Sequence, residues 1–106
     1  MRIELLNIGD ELLDGTIVDT NSTWLADALH GKGLSIARAT RLPDRLDVIA
    51  DELRAIAARA DVCITTGGLG PTTDDLTVDA LAVAAGAELR FDEAVWQQIV
   101  ALYGER

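Results

Sequence analysis

The chain has 106 residues, enough for one domain with one hydrophobic core, and 49% of them are hydrophobic. Eighteen acidic residues against nine basic ones give a formal net charge of -9, which disfavours binding to nucleic acid or to anionic membranes. A single cysteine and the lack of a secretory leader or a long uncharged apolar stretch predict a cytoplasmic protein. Because the net charge is negative, small anionic ligands would need a cation beside them.

The first third of the chain predicts a strand, a loop and a helix. Ile3 to Ile8 is a short apolar run typical of a buried strand, and a polar loop from Gly9 to Gly15 follows it. Asn21 or Ser22 can cap a helix that ends at the stretch Gly31 to Gly33. The apolar face of this helix consists of Leu25, Ala28 and Leu29.

A weaker strand, Leu34 to Leu42, leads into the second helix. Pro43 and Asp44 open this helix, and its apolar residues recur at intervals of three and four. They are Leu46, Ile49, Ala50, Leu53, Ile56 and Ala57. The apolar, β-branched run Val62 to Thr66 then predicts another strand, which leads directly into a glycine-rich loop.

Two more helices are predicted after the glycine-rich loop. The third helix ends at Gly86, and Asp92 caps the last one after a short strand from Glu88 to Phe91. Their apolar faces consist of Val78, Leu81, Ala82 and Ala85, and of Trp96, Ile99, Val100 and Tyr103. Strands that alternate with helices in this way predict an α/β fold with a mainly parallel sheet covered on both faces.

Three loops follow the first three predicted strands. They are Gly9 to Gly15, Pro43 and Asp44, and Gly67 to Asp75. In a parallel α/β sheet the ligand crevice lies outside the carboxyl ends of the strands. We therefore expect these loops to meet at one edge of the domain.

The glycine-rich loop favours a phosphate site. Gly67, Gly68 and Gly70 allow backbone N–H groups to approach an anion, and the following helix adds its positive dipole end. The loop is not a P-loop, because no lysine precedes Thr72 and Thr73. A tight strand-to-helix connection without any ligand is the alternative interpretation of this segment.

Acidic residues are concentrated in the same loops. The set comprises Asp10, Glu11, Asp14, Asp19, Asp44, Asp74 and Asp75. Carboxylates cannot neutralise a phosphate, but they can hold Mg²⁺ beside it or position a water molecule. The alternatives are that several are solvated surface charges and that one of the adjacent pair Asp74 and Asp75 only caps a helix.

Three strings of this sequence resemble the N-terminal domain of the CinA (competence/damage-inducible) family. They are Gly9-Asp10-Glu11-Leu12-Leu13-Asp14-Gly15, Asp19-Thr20-Asn21 and the run from Thr65 to Thr77, in matching order and spacing over essentially the whole chain. The resemblance places the chain among molybdopterin-binding domains such as the MoaB and MogA type and the third domain of MoeA. It implies a three-layer αβα sandwich with a mainly parallel sheet.

The resemblance also implies site residues. Phosphate or ligand contacts are expected at Gly9, Asp10, Glu11, Asn21, Thr66, Gly67, Gly68, Leu69, Gly70, Pro71 and Thr72. Metal binding is expected at Asp10, Asp44, Asp74 and Asp75, with Asp44 and Asp75 as catalytic residues. The expected cofactor is a divalent metal such as Mg²⁺, Mn²⁺ or Co²⁺, and the related proteins bind molybdopterin.

Two activities fit this resemblance. CinA-like domains are associated with metal-dependent hydrolysis of ADP-ribose, and the alternative is a molybdopterin-binding module without catalysis. The expected partners are a small phosphorylated ligand, either nucleotide or pterin, and further copies of the chain in a homo-oligomer. The family domain continues past the position of Arg106, so we expect residues 1–106 to be a single domain truncated at its C-terminal end, without the amidase domain of longer members.

Overall fold

The computed structural model describes residues 1–70, 72–89 and 92–103, which form three strands and five helices. The strands are β1 (Ile3–Ile8), β2 (Ile36–Leu42) and β3 (Val62–Thr66). The helices are α1 (Asp10–Leu13), α2 (Asn21–His30), α3 (Leu46–Ala57), α4 (Thr77–Ala85) and α5 (Glu93–Tyr103). None of these helices is both long and apolar enough to cross a membrane.

The sheet has the strand order β2-β1-β3, and both strand pairs are parallel. Asn7 lies opposite Arg41 of β2 and Thr66 of β3, so the three strands end close together. Every residue of the central strand β1 is buried, as expected for a strand covered on both faces. The carboxyl ends of all three strands therefore meet at one edge, where their following loops begin.

Helices cover both faces of the sheet. Leu6 and Ile8 of β1 pack in one core cluster with residues of α3 and α4, which are Ile49, Ala50, Leu53, Ile56 and Ala80. Each large aliphatic side chain fully buried in this cluster contributes about 1.5–3 kcal/mol to stability. Asn7 points to the opposite face, where it contacts Ser22 of α2. The predicted three-layer α/β architecture is thus confirmed, with α2 on one side of the sheet and α3 and α4 on the other.

Four of the six residues predicted for the apolar face of α3 are buried, with Leu46 and Ala57 exposed, whereas the face predicted for α4 is wrong. In α4 the buried residues are Thr77 and Ala80, while Val78 and Leu81 are 48% and 55% exposed. The Thr77 hydroxyl donates a hydrogen bond of 2.7 Å to the Gly67 carbonyl oxygen. This bond fixes the rotation of α4 about its axis and turns Ala80, one turn further on, toward α3.

Four predicted boundaries also differ from the structure. Helix α3 begins at Leu46, after Arg45, and not at Pro43 and Asp44. The segment Gly9 to Gly15, predicted as a loop, contains the single-turn helix α1. The residue that precedes α2 is Thr20, not Asn21 or Ser22, and it makes no side-chain cap. Strand β2 begins at Ile36 rather than Leu34, because the Leu34 N–H donates to Leu29 at the end of α2.

The strand predicted from Glu88 to Phe91 is not formed where the structure can be described. Glu88 and Leu89 belong to no strand, and Arg90 and Phe91 lie outside the described residues. The cap predicted for the last helix is present, since the Asp92 carboxylate accepts a 3.1 Å hydrogen bond from the Val95 N–H. Gly86, predicted to end α4, adopts the left-handed conformation at φ 65°.

A buried charge network lies near the start of β1, at the opposite end of this strand from the converging loops. Glu4 is buried and accepts two hydrogen bonds of 2.8 Å from the Arg59 guanidinium, and a third of 3.1 Å from Arg2. Arg59 also contacts Glu52 at 3.2 Å. The hydrogen bonds from Arg59 lower the pKa of Glu4 to about 2, despite its burial. All charges in this network are paired, which indicates a structural role.

Candidate ligand-binding site

Direct hydrogen bonds join the first two converging loops. The Gly9 N–H donates to the Leu42 carbonyl oxygen at 3.0 Å. The Asp44 N–H donates to the Asp10 carboxylate at 3.1 Å, and the Asp10 N–H donates to the Asp44 carboxylate at 3.4 Å. This reciprocal pair holds two predicted site residues, which are 34 positions apart in the chain, against each other.

The glycine-rich loop packs directly against the end of β1. Gly67 and Gly68 have φ angles of 87° and 66°, a region that favours glycine. A β-carbon on Gly67 would lie 2.0 Å from the Ile8 carbonyl oxygen, and one on Gly68 would lie 2.3 Å from the Thr77 hydroxyl. Both backbone angle and space therefore require glycine at these two positions.

Two residues near the start of α4 hold this loop in shape. Thr77 donates its hydroxyl proton to the Gly67 carbonyl and its N–H to the Gly68 carbonyl at 3.2 Å. The Asp75 carboxylate accepts bonds from the hydroxyl and the N–H of Thr72 at 2.5 Å and 3.1 Å. Together with the Gly70 N–H, these donors lower the pKa of Asp75 below its ordinary value.

The internal bonds of the loop leave several amide groups available. Among the hydrogen bonds between described residues, none has the N–H of Gly67, Gly68 or Leu69 as its donor. Leu69 is 61% exposed, and α4 directs its N-terminal end toward the loop. Successive amide donors at a helix N-terminus form an arrangement that suits a phosphate.

Asp44 lies partly buried among other acids. Its pKa is raised above the ordinary value, first by burial and then by the negative charges of Asp10, Glu11 and Asp75, although its hydrogen bond from Asp10 acts in the opposite direction. All three loops thus contribute carboxylates to the surroundings of Asp44. Within the described parts of the chain, no three potential ligand side chains are placed to hold a metal ion by themselves.

A cavity of about 240 Å³ adjoins the glycine loop on the α2 face of the sheet. Its lining residues are Ile8, Glu11, Leu12, Ile17, Val18, Asp19, Thr20, Asn21, Thr66 and Gly67. Four of them, Glu11, Asn21, Thr66 and Gly67, are predicted ligand contacts. Glu11 belongs both to this cavity and to the acidic surroundings of Asp44.

The floor of the cavity rests on a buried polar hub that the sequence predictions missed. Asn7 is 1% exposed and donates to the Ser22 hydroxyl at 2.6 Å and to the Asp19 carboxylate at 3.3 Å. It also accepts a 2.7 Å hydrogen bond from the Thr66 hydroxyl. An amide within β1, whose other residues except Glu4 are apolar, was the available signal.

Asp19 is anchored firmly in this hub. Burial by itself would raise its pKa, but hydrogen bonds from Ser22 and the charge of Arg41 bring the pKa below the ordinary value. The Arg41 guanidinium lies 3.6 Å from the Asp19 carboxylate. The Asp19 carboxylate is therefore held in position by its hydrogen bonds and by Arg41.

The remaining predicted site residues are distributed around this centre. Gly9 is buried under the Glu11 side chain, whose carboxylate would lie within 2.4 Å of a β-carbon placed there. Thr72 and Gly70 contact Asp75, as described above. Asp74 is exposed, and Pro71 lies outside the described residues.

Comparisons with known proteins agree with this fold. Residues 4–106 match a family model described as a probable molybdopterin binding domain. A CinA-like protein of Citrifermentans bemidjiense is 52% identical over 89 residues, which cover 84% of this chain and 22% of the relative. The matched part of the chain thus spans about a fifth of the length of that relative.

Solved structures show the same relationship. The crystal structure of CinA from Thermoplasma acidophilum aligns with a TM-score of 0.90 at 33% identity, covering 100% of this chain and 65% of the other. MoaB from Thermus thermophilus, described as a molybdopterin biosynthesis enzyme, aligns with a TM-score of 0.71 at 28% identity over 77% of this chain and 53% of the other. The chain therefore belongs to the family of molybdopterin binding domains, as the resemblance of its sequence to the N-terminal domain of CinA predicts.

Proposed function

We propose that this domain binds the pyrophosphate group of an ADP-ribose-like dinucleotide and hydrolyses it with the help of a divalent metal. The observation that carries this proposal is the position of the partly buried Asp44 carboxylate at the edge where the glycine loop has amide groups that donate to no acceptor among the described residues. Phosphate requires donors, and hydrolysis requires a base that can accept a proton from water. At this edge of the sheet the loop amides are the proposed donors and Asp44 is the proposed base.

The glycine loop is proposed to bind the phosphate oxygens. The amides of Gly67, Gly68 and Leu69 lack acceptors among the described residues, and the N-terminal end of α4 adds a partial positive charge. The chain has a net charge of -9, so backbone dipoles rather than side-chain cations supply the attraction at this point. The contacts of Thr77 and Asp75 hold the loop in this shape before a ligand binds.

Asp10 and Asp44 are the side chains that would hold the metal. Magnesium is usually bound by one or two carboxylates together with phosphate oxygens of the substrate, rather than by a complete protein cage. The donor set fits this pattern, because the charge of Asp10 raises the pKa of Asp44 and a bound cation would relieve that repulsion. The cation would neutralise charge on the phosphate oxygens. Asp74 is proposed as a further contact at the exposed side.

Asp44 is proposed as the general base. Its pKa is raised first by burial, and this contribution would persist with a cation held at Asp10, so Asp44 is a stronger proton acceptor than an ordinary aspartate. In the proposed step, the oxygen of a water molecule forms a bond to one phosphorus, and the bridging P–O bond breaks. Asp44 takes the proton of the water, and the other phosphate leaves with the electron pair of the broken bond. With ADP-ribose the products are AMP and ribose 5-phosphate.

Asp75 is proposed to act indirectly in the same reaction, by holding the glycine loop in the shape that binds phosphate. Its carboxylate is held by Thr72 and the Gly70 amide, so its direct effect is on the shape of the phosphate-binding backbone. A loss of this carboxylate should weaken substrate binding, whereas a loss of Asp44 should remove turnover. The two aspartates are therefore separable by the effects of their variants on KM and kcat.

The test is the conversion of ADP-ribose to AMP, followed by chromatography in the presence of Mg²⁺, Mn²⁺ or Co²⁺. The native protein should release AMP with at least one metal, and Asp44→Asn should lower kcat by about 100-fold or more, which is the usual contribution of a general base. Asp51→Asn, at an exposed position on α3, is the matched control and should retain full turnover. Release of AMP at an unchanged rate by Asp44→Asn would contradict the assigned role.

A second candidate is a molybdopterin-binding module without catalysis. The match to the molybdopterin binding domain model and the structural likeness to a molybdopterin biosynthesis enzyme favour it. The same loop amides would then hold the pterin phosphate. Saturable binding of molybdopterin, combined with no AMP from ADP-ribose with any of the three metals, would replace the first proposal by this one.

A further inference from the structure

We propose that the cavity beside the glycine loop binds the hydroxyl groups of the ligand's sugar, and that the carboxylate of Glu11 is the residue that reads them. This inference rests on the proposed function, because it requires a phosphate on the loop. It assigns an orientation to the bound ligand, with the phosphate at the loop amides and the sugar beneath α2. It also assigns a selectivity for ligands with sugar hydroxyl groups, which the phosphate site cannot supply.

The position of the cavity makes this arrangement possible. Gly67 provides a loop amide and also lines the cavity, so a group attached to a phosphate on the loop enters the cavity directly. The volume of about 240 Å³ is below the range of about 300–1,000 Å³ that is typical for whole drug-sized ligands. One sugar ring is therefore a better match to this space than an entire dinucleotide.

The acidic residues that line the cavity favour hydroxyl groups over a phosphate as its occupant. Two acidic residues, Glu11 and Asp19, are among the described residues that line it, and these include no lysine or arginine, although Arg41 pairs with the Asp19 carboxylate from outside the lining. An ionised carboxylate only accepts hydrogen bonds, so it repels a phosphate and pairs well with an O–H donor. Among the described residues, no group donates a hydrogen bond to the Glu11 carboxylate, whereas Asp19 already accepts bonds from Asn7 and Ser22. Glu11 thus has the free acceptors.

The walls of the cavity are fixed in advance. Asn7 ties Thr66, Ser22 and Asp19 together, so two strands and the start of α2 are connected beneath the site. A rigid wall lowers the entropic cost of holding a ligand in one orientation. Ile17 and Val18 also line the cavity and are 55% and 78% exposed, which suits them to cover the apolar face of a sugar ring.

The test compares AMP, 2′-deoxy-AMP, 2′,3′-dideoxy-AMP and inorganic pyrophosphate as ligands of the purified protein by isothermal titration calorimetry. Removal of both hydroxyls should weaken binding by about tenfold or more, since a hydrogen bond to a charged group is being lost. In Glu11→Gln the ratio between the Kd values of 2′,3′-dideoxy-AMP and AMP should fall toward one. Glu88→Gln, beyond the far end of α4, is the control and should keep the native ratio.

The ligands separate a failure of this inference from a failure of the proposed function. If pyrophosphate and AMP both fail to bind the native protein, the phosphate site itself is wrong, and the inference falls with it. If pyrophosphate binds but AMP and its dideoxy analogue bind equally well, only the inference on the sugar is overturned. Should Glu11→Gln not fold, the series of nucleotides on the native protein still decides the question.

Discussion

At the scale of single residues, the most consequential contact is the buried hub around Asn7. Its amide and carbonyl groups are all engaged with Ser22, Asp19 and Thr66 in a part of the sheet that water does not reach. A buried polar group that loses its partner costs about 1–3 kcal/mol. The same hub supports the cavity, so stability and binding depend on it together.

Asn7→Ala should therefore lower the free energy of unfolding by about 1–3 kcal/mol or more, because it leaves three polar partners without their bonds. Urea denaturation measures this change. Asn21→Ala, at the exposed start of α2, is the matched control and should stay within about 0.5 kcal/mol of the native protein. Equal stability of the two variants would contradict the stabilising role proposed for the hub around Asn7.

Asp44 should differ from Asn7, because we expect its replacement to lower activity while raising stability. Because its folded pKa is raised above 3.8, the stability that this group contributes is present below that pH and is lost as the pH rises through the folded pKa. Asp44→Asn removes the repulsion from Asp10, Glu11 and Asp75. The variant should thus be more stable than the native protein at pH 7, and the difference should shrink toward pH 4.

Urea denaturation at pH 7 and pH 4 tests this expectation. Where charges are assembled for catalysis or binding, we expect the native protein to be less stable than a variant in which one of these charges has been removed. A loss of stability in Asp44→Asn at pH 7 would show that the carboxylate is favourably paired, and would remove the main reason to treat Asp44 as a base.

At the scale of elements, the connection between β3 and α4 is the most constrained segment. Gly67 and Gly86 both have positive φ angles, but only Gly67 has backbone of another strand within 2.0 Å of its potential β-carbon. Gly86 has no atom within 4 Å of that position. A comparison of substitutions at these two glycines therefore separates the free-energy cost of the left-handed conformation from the cost of close packing.

Gly86→Ala should lower stability by about 1–2 kcal/mol, the cost of a left-handed alanine. Gly67→Ala should lower it by clearly more, because the loop must also move away from the Ile8 carbonyl. Thermal unfolding of both variants gives the comparison. Equal shifts in Tm would mean that the loop adapts without strain, and that its packing against β1 is loose.

The elements also show what the sequence can and cannot predict. Helix α3 was predictable because its apolar residues follow one face, and four of them are buried as expected. Helix α4 was not, because all of its residues except Thr77 and Asp79 are apolar, so no stripe distinguishes its buried face. The rotation of α4 is set by the hydrogen bond from Thr77 to Gly67, ten residues earlier, which periodicity does not record.

At the scale of the whole molecule, the order of elements fixed where the site would lie. Parallel strands with helical connections bring their following loops to one edge, so the meeting of Asp10 with Asp44 followed from topology. The Asn7 hub and the Glu4 network were not predicted, because each depends on contacts between residues that lie far apart in the chain. Hydrophobic patterns report burial, not the partner of a polar side chain.

The net charge of the whole molecule does not by itself exclude the proposed binding of a phosphate. Its net charge of -9 opposes anions at long range, but the screening length at physiological salt is only about 8 Å. Near the glycine loop, the proposed attraction comes from backbone amides and the end of α4, and a cation would offset the charges of the nearby carboxylates. A phosphate site built from backbone groups is therefore compatible with the overall charge.

The central claim is that the amides of Gly67, Gly68 and Leu69 bind phosphate beside Asp44. Titration of ¹⁵N-labelled protein with ADP-ribose and Mg²⁺, followed by ¹H–¹⁵N correlation spectra, tests it at these atoms. The largest shifts should fall on these three amides, with smaller ones at Asp10 and Asp44. Shifts concentrated away from the glycine loop, or no shifts at millimolar ligand, would contradict the claim.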